Sequence, residues 1–183
     1  MVYRIPAVNL VGRGCLAQLK DEIGTLGCKK ALVVSDKFLT ENGVVEKVTK
    51  VLDQVGIEHT LYNDVKQNPS VANVEGGLEV LKKENCDFIV SIGGGSPQDC
   101  GKAISVLATD GGKITDYEGV NKSQKKCLPI VAIATTAGTS AEVTINYVIT
   151  DEETHIKMIM VDRNTLASIT VNDPELMLSK PAG

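Results

Sequence analysis

Three short apolar runs constrain this chain more than any other feature: Ala31-Leu32-Val33-Val34, Phe88-Ile89-Val90-Ser91-Ile92 and Ile130-Val131-Ala132-Ile133-Ala134. None of them alternates apolar with polar residues. A strand with one face in water alternates, whereas a parallel strand covered by helices on both faces is apolar throughout. The runs are therefore expected to be central strands of a parallel sheet, joined by crossovers long enough to hold a helix. The intervening segments fit that role. Val44, Val48, Val51, Leu52 and Val55 recur at steps of three and four, as do Val71, Val74, Leu78 and Leu81, so each segment can lay one apolar stripe on the sheet. Another helix fits Leu16 to Leu26, ending at Gly27, where glycine can take the left-handed cap conformation.

After Ala134 the pattern changes. Ile145 to Thr150 and Ile156 to Val161 flank the polar turn Asp151-Glu152-Glu153-Thr154, which reads as a hairpin. A strand fits Ala167 to Val171, and Asp173-Pro174-Glu175 reads as a helix start with Asp as cap and Pro at the first helical position. A first strand is expected within Tyr3 to Val11, where an unpaired edge would invite pairing with a second copy. The fold class is thus α/β: an open, mainly parallel sheet with helices on both faces, plus a β-hairpin. In such sheets ligands bind beyond the carboxyl ends of the strands.

Composition removes several function classes. The net charge is −4 and lysines occur singly or in pairs such as Lys82-Lys83, so no basic stripe exists for nucleic acid. No run of apolar residues is long enough to cross a membrane. The five cysteines are widely spaced without a C-x-x-C pair, which predicts reduced thiols and a cytoplasmic protein. No serine sits in a G-x-S-x-G elbow, and His59 and His155 have no spaced partners that would form a metal site, so both read as surface residues.

The loops after the apolar runs carry the chemistry. Gly93-Gly94-Gly95-Ser96-Pro97-Gln98-Asp99 joins the strand ending at Ile92 to a helix bearing Ala103, Ile104 and Leu107 on one face. One reading is a well-capped helix, with Ser96 as cap, Pro97 at the first position and Asp99 reaching back. Three consecutive glycines strain that reading, because each costs about 0.5–1 kcal/mol relative to alanine when ordered. A helix N-terminus whose amides glycine leaves uncovered suits a phosphate, with Gly95 a candidate for positive φ. The string is not the G-x-G-x-x-G fingerprint.

Thr135-Thr136-Ala137-Gly138-Thr139-Ser140-Ala141-Glu142 follows the next run and offers four hydroxyls. It reads either as a capping box from Thr139 to Glu142 or, with the glycine loop, as a second wall of one cleft. Asp36 ends the strand that starts at Ala31; it is either a turn or cap residue or a carboxylate that accepts from a ribose. Asn68 precedes Pro69-Ser70 and either closes a turn or faces a ligand. Lys157, alone on the hairpin, reads as a solvated edge residue.

The strings Gly93-Gly94-Gly95-Ser96-Pro97-Gln98-Asp99, Thr135-Thr136-Ala137-Gly138-Thr139-Ser140-Ala141-Glu142-Val143-Thr144 and Asp173-Pro174-Glu175-Leu176-Met177 resemble the iron-dependent, group III alcohol dehydrogenases. Within that family the likeness is strongest to members acting on propanediols, lactaldehyde and methanol. The resemblance implies an N-terminal dinucleotide-binding domain of the dehydroquinate synthase-like type, spanning residues 1–183, and a helical metal-binding domain outside this chain. It implies NAD as cofactor, and iron or another divalent metal held by one Asp and three His that lie beyond Lys180-Pro181-Ala182-Gly183. It also implies a small alcohol or aldehyde substrate and a homodimer or higher homo-oligomer. By the same resemblance Asp36 reads the adenosine ribose, Asn68 lies beside the adenosine half, and Gly94, Gly95 and Ser96 meet the pyrophosphate. Thr135, Thr136 and Thr139 surround adenine and phosphate, and Lys157 lies near the nicotinamide ribose. Two other readings compete: a nucleotide-binding or assembly module without hydride chemistry, and a relative of glycerol dehydrogenase or dehydroquinate synthase.

Overall fold

The continuous apolar runs do become buried parallel strands. The computed structural model describes residues 4–178. The expected start of the first strand at Tyr3, and the terminal run Lys180-Pro181-Ala182-Gly183, lie outside the described residues. Strands β2 (Lys30–Val34), β4 (Phe88–Gly93) and β6 (Ile130–Ala134) lie side by side at the middle of a six-stranded sheet. They are flanked by β1 (Val8–Val11) and β9 (Ile169–Asn172) on one side and β3 (Glu58–Tyr62) on the other, in the order β1-β9-β6-β4-β2-β3 with every pairing parallel.

Alternate residues of each central strand enter different cores. Val33, Val90 and Val131 pack with Leu19, Val48 and Leu52 on one face, while Leu32, Ile89 and Ala132 pack with Val74, Ile104 and Val106 on the other. Burying a leucine or isoleucine contributes about 2 kcal/mol, which is why a run covered on both faces contains no polar break longer than one residue. Helices α3 (Val44–Gln54) and α4 (Val71–Lys83) form where the three- and four-residue steps place them, on opposite faces, and α5 (Gly95–Asp110) lies beside α4.

Two expectations change. The segment from Leu16 to Leu26 is not one α-helix: a single α-helical turn, α1 (Leu19–Glu22), lies between 3-10 turns over Cys15–Gln18 and Ile23–Leu26. Gly24 and Thr25 are weak helix formers, and the short tight turns suffice to bury Leu16, Leu19 and Ile23. Gly27 does end the segment, at φ 66°. Strand β3 was not expected at all. It is an edge strand with no fully buried residue, so Glu58 to Tyr62 never needed an apolar run.

The hairpin forms as read, with β7 (Asn146–Asp151) antiparallel to β8 (Ile156–Val161) and Thr150 opposite Lys157. A two-residue strand, β5 (Gly119–Val120), adds in parallel to β8, making a second sheet of order β5-β8-β7. Because β5 reaches only Met160 and Val161, Lys157 lies on an exposed stretch of β8 with an open edge, as the sequence suggested. Tyr147, Ile149, Met158 and Met160 turn the hairpin's inner face into the α4 and α5 core. Asp173 caps the closing turn as expected and also accepts from the amides of Gly14 and Leu16, tying the chain's two ends together.

From β2 the chain moves outward to β3, and α4 then carries it back past β2 to β4. The direction of winding reverses between β2 and β4. Such a reversal leaves a crevice at the strands' carboxyl ends, because the following loops depart to opposite sides.

Candidate functional site

Three chain segments leave the carboxyl end of the sheet at that crevice. After β2, Asp36 is the N-cap of the short helix α2 (Lys37–Glu41), where its Oδ1 accepts from the Leu39 amide at 2.8 Å. Its position as a cap is settled, and it also lines the crevice. After β4, Gly93 turns the chain at φ 152°, Gly94 takes an extended conformation as N-cap, and α5 begins at Gly95.

The helix thus starts before Ser96, and the expected cap does not form. No side chain caps α5, and the Ser96 hydroxyl instead accepts from the Asn68 amide at 3.3 Å. Asp99 does not reach back either: its Oδ2 accepts from the Val148 amide at 3.1 Å on the hairpin. The first amides of a sixteen-residue helix are left facing the crevice with the positive end of its dipole.

The three glycines have separate causes. A Cβ on Gly93 would sit 2.4 Å from the Pro97 ring at a backbone angle that L side chains rarely adopt, so this glycine is required by the turn itself. On Gly94 it would lie 3.0 Å from Thr136 Oγ1, tight against the neighbouring loop. On Gly95 it would meet Thr139 Cγ2 at an ordinary 3.5 Å, and Gly95 is not among the positive-φ residues, against expectation. Among the described residues nothing calls for glycine at that position.

The loop after β6 is anchored to the glycine turn by the Thr135 amide, which donates to the Gly93 carbonyl at 3.1 Å. No helix follows, so the expected box from Thr139 to Glu142 is not made. Thr139 Oγ1 accepts from the Ala141 amide at 3.4 Å, Ser140 turns at φ 52°, and the Val143 amide closes back on the Ser140 carbonyl. A serine in the left-handed region and the return to β7 leave no room for a helical first turn.

The two loops do share a cleft. Asp36, Gly94, Gly95, Ser96, Thr135 and Thr136 line a cavity of ≈ 430 Å³, with Phe38, Leu39 and Val65 supplying its apolar wall. Thr139 lies outside it, in a second cavity of ≈ 250 Å³ on the other side of Gly95, shared with Asp99, Thr144, Asn146 and Val148. Asn68 and Lys157 line neither. Asn68 turns at φ 56°, and its Oδ1 accepts from Lys157 Nζ at 2.9 Å, so these two exposed residues bridge the loop before α4 to the hairpin. That bridge approaches the cleft through the bond from Asn68 to Ser96.

Two residues escaped the sequence reading of the site. Asp99 is mostly buried, and burial pushes its carboxyl up to about 6. Lys102, buried one turn further along α5, donates to the backbone of the β6 loop. Their signal was an acid and a base three residues apart in an otherwise small and apolar stretch of helix, a spacing that puts both on one face.

The remaining reactive groups lie elsewhere. His59 faces Asp53 at 3.6 Å, at the far end of the sheet, and His155 is exposed in the hairpin turn. All five cysteines are free, and burial raises each thiol. Among the described residues no group of three or more His, Cys, Asp or Glu could hold a metal ion. No helix among them is long and apolar enough to cross a membrane.

Comparison with known proteins identifies the family. Alcohol dehydrogenase 4 of Schizosaccharomyces pombe is 50% identical over 98% of this chain and 42% of its own length. The NAD-dependent methanol dehydrogenase of Bacillus methanolicus is 42% identical over 99% of this chain and 48% of its own. A crystal structure of 1,3-propanediol oxidoreductase superposes with a TM-score of 0.95 at 43% identity, covering 98% of this chain and 47% of that one. The chain spans about half the length of the curated relatives it matches. The family model for iron-containing alcohol dehydrogenase matches residues 6–174, and the chain belongs to that family.

Proposed function

We propose that this chain is the NAD-binding domain of a metal-dependent alcohol dehydrogenase that transfers hydride between a small primary alcohol or diol and NAD. The observation that carries the reading is Gly95, a glycine at the uncapped start of α5 that no protein atom requires. A pyrophosphate seated there would accept from the first amides of α5, and a Cβ at Gly95 would stand in its way. The residues fit the cofactor on other counts. The carboxylate oxygen of Asp36 that the cap leaves free would accept from the adenosine ribose hydroxyls, and its charge would repel a 2′-phosphate. Gly94, Gly95 and Ser96 would meet the pyrophosphate, Thr135, Thr136 and Thr139 would flank adenine and phosphate, Asn68 would lie beside the adenosine half, and Lys157 would stand near the nicotinamide ribose.

When bound, the nicotinamide supplies the hydride acceptor; the protein's part is to hold and orient it. The described residues do not fit an iron site, because no cluster of suitable ligands exists among them. Residues 1–183 accordingly form the cofactor half in this reading, with the metal ligands supplied by a helical domain outside this chain. A cytoplasmic location is supported by the five unpaired thiols. Assembly into a homo-oligomer is supported by β1, a sheet edge with Val11 72% exposed.

The test separates binding from chemistry. Calorimetric titration is expected to show NAD bound by the 183-residue chain, and anaerobic assays with propanediol, short alcohols and ferrous iron to show no turnover at an enzyme's rate. Absence of NAD binding would overturn the cofactor reading, and robust iron-dependent turnover by the homogeneous chain would overturn the division between halves.

A further inference from the structure

Lys102 is 1% exposed, yet among the described residues no carboxylate pairs with it at contact distance. Its ammonium donates to three backbone carbonyls: Ala141 at 2.7 Å, Thr144 at 2.8 Å and Asn146 at 2.8 Å. Three donors meet three acceptors, so the group is saturated by main chain alone. A buried lysine is costly compared with an apolar side chain of the same length, and the helix around it would bury one readily. What Lys102 holds is therefore the reason for its being there.

The three carbonyls belong to the segment that leaves β6 and enters β7. That segment makes few hydrogen bonds of its own: the Thr139–Ala141 turn is long at 3.4 Å, and the Val143 amide closes a single turn on Ser140. It nevertheless forms a wall. Thr139, Ala141, Thr144, Asn146 and Val148 line the smaller cavity beyond Gly95, opposite the cleft that contains Asp36. The same helix grips the segment's far end, where Asp99 accepts from Val148.

We propose that Lys102 is a positioning residue for the half of the cofactor that lies beyond Gly95: its ammonium sets the shape of the Ala141–Val148 wall by binding three of its carbonyls. The inference rests on the reading of the cleft as an NAD site. It adds that the two halves of the ligand depend on different parts of α5. The adenosine diphosphate half would lie against Asp36, Gly94 and Thr136 and would meet the segment beyond them only at Thr139, before the stretch whose carbonyls Lys102 binds. The nicotinamide half would meet that stretch.

Two ligands therefore distinguish positioning from general stability. Calorimetric titrations of the purified protein with NAD and with ADP are compared with those of Lys102→Met, which keeps the side chain's length and removes every donor. NAD affinity is expected to fall about tenfold or more while ADP affinity changes less than about threefold, because only the wall has lost its partner. Equal losses for both ligands, or no loss for either, would overturn the proposal. Failure of the unmodified protein to bind either ligand would instead overturn the reading of the cleft.

If the methionine variant does not fold, the unmodified protein decides. Burial lowers the Lys102 pKa to about 8, against the opposing pull of Asp99 on its own helix and Glu142 on the loop. Tyr147, on the strand packed against α5, has its hydroxyl held well above its ordinary range by burial. A neutral amine has two N–H groups for three carbonyls and turns a lone pair toward one of them. Between about pH 7 and about pH 9.5 the ratio of NAD to ADP affinity is expected to fall in the unmodified protein. A ratio that does not move in the unmodified protein over that range would overturn the proposal.

Discussion

The turn after β4 and the loop after β6 end adjacent parallel strands and face the same crevice, but they are held in different ways. The β4 turn is restrained from within. Gly93 must take its positive φ, the Pro97 ring fills the space beside it, and the helix starts at once. The β6 loop is restrained from outside, by the Gly93 carbonyl on Thr135, by Lys102 on three carbonyls and by Asp99 on Val148. A turn whose restraints lie within a few residues resists deformation by itself. A loop whose restraints come from another element inherits its shape, and inherits any titration of the groups that impose it.

The largest effect that would expose this difference is expected at Gly93. Replacement by alanine forces a Cβ to within 2.4 Å of Pro97 at φ 152°, and neither the ring nor the strand can move far. We expect Gly93→Ala to lower unfolding free energy by about 3 kcal/mol or more in urea denaturation. A loss smaller than about 1 kcal/mol would mean that the turn is softer than its geometry implies.

Gly95 should behave otherwise. A Cβ there meets Thr139 at an ordinary distance, so Gly95→Val is expected to change stability by about 1 kcal/mol or less, the ordinary propensity difference at a helix start. Its effect should fall on the ligand, weakening NAD by about tenfold or more. A folded variant with unchanged affinity would leave the glycine turn as a helix start with no ligand.

What the sequence revealed follows the same division. Strands β2, β4 and β6 were legible because burial on both faces leaves no alternative to a continuous apolar run. The α3 and α4 stripes were legible because one face of each must meet the sheet. Strand β3 was not, since an edge strand half in water carries no such run. The glycine turn was read correctly as a strand-to-helix junction beside a cleft, but its cap was placed on Ser96 when an extended Gly94 does the work without a side chain. For the β6 loop the spacing of Thr139 and Glu142 kept a helix cap open beside the cleft reading, and the cap is the one that does not form. The competing restraint, Lys102, lies 39 residues before the first carbonyl it binds, and local patterns carry no record of a contact that distant. The glycine loop and Thr135-Thr136 were placed together because both follow adjacent central strands, and Asp36, at the end of a third, joins them in the cavity. Asn68 and Lys157 met each other and not the main cleft, since a bridge between a loop and a hairpin depends on how the two sheets pack.

Asp36 allows a smaller and cleaner test of local restraint. Its cap on the Leu39 amide needs an acceptor but no charge, and asparagine caps as well as aspartate. Asp36→Asn is expected to leave stability within about 0.5 kcal/mol and to narrow the preference for NAD over NADP by about tenfold, measured as the ratio of their dissociation constants. Equal affinity for both cofactors in the unmodified protein would remove Asp36 from ribose recognition.

The smallest effect concerns the external tether. Burial raises the carboxyl pKa of Asp99 from 3.8 to about 6, even though Lys102 and the Val148 amide both favour its charged form. The folded protein thus holds this proton more tightly than the unfolded chain does. The group's contribution to stability is full below about pH 4 and is lost as pH rises through about 6. Asp99→Asn keeps an acceptor for the Val148 amide and removes the titration. Between about pH 4.5 and about pH 7.5 the unmodified protein is therefore expected to lose on the order of 1 kcal/mol of stability relative to the asparagine variant, read from urea midpoints at each pH. Gly93 provides the contrast, because no ionisable side chain takes part in its turn and the deficit of Gly93→Ala should not change over the same range. A constant gap between Asp99→Asn and the unmodified protein would mean that the carboxyl titrates normally, and the β6 loop would then be no more sensitive to pH than the β4 turn.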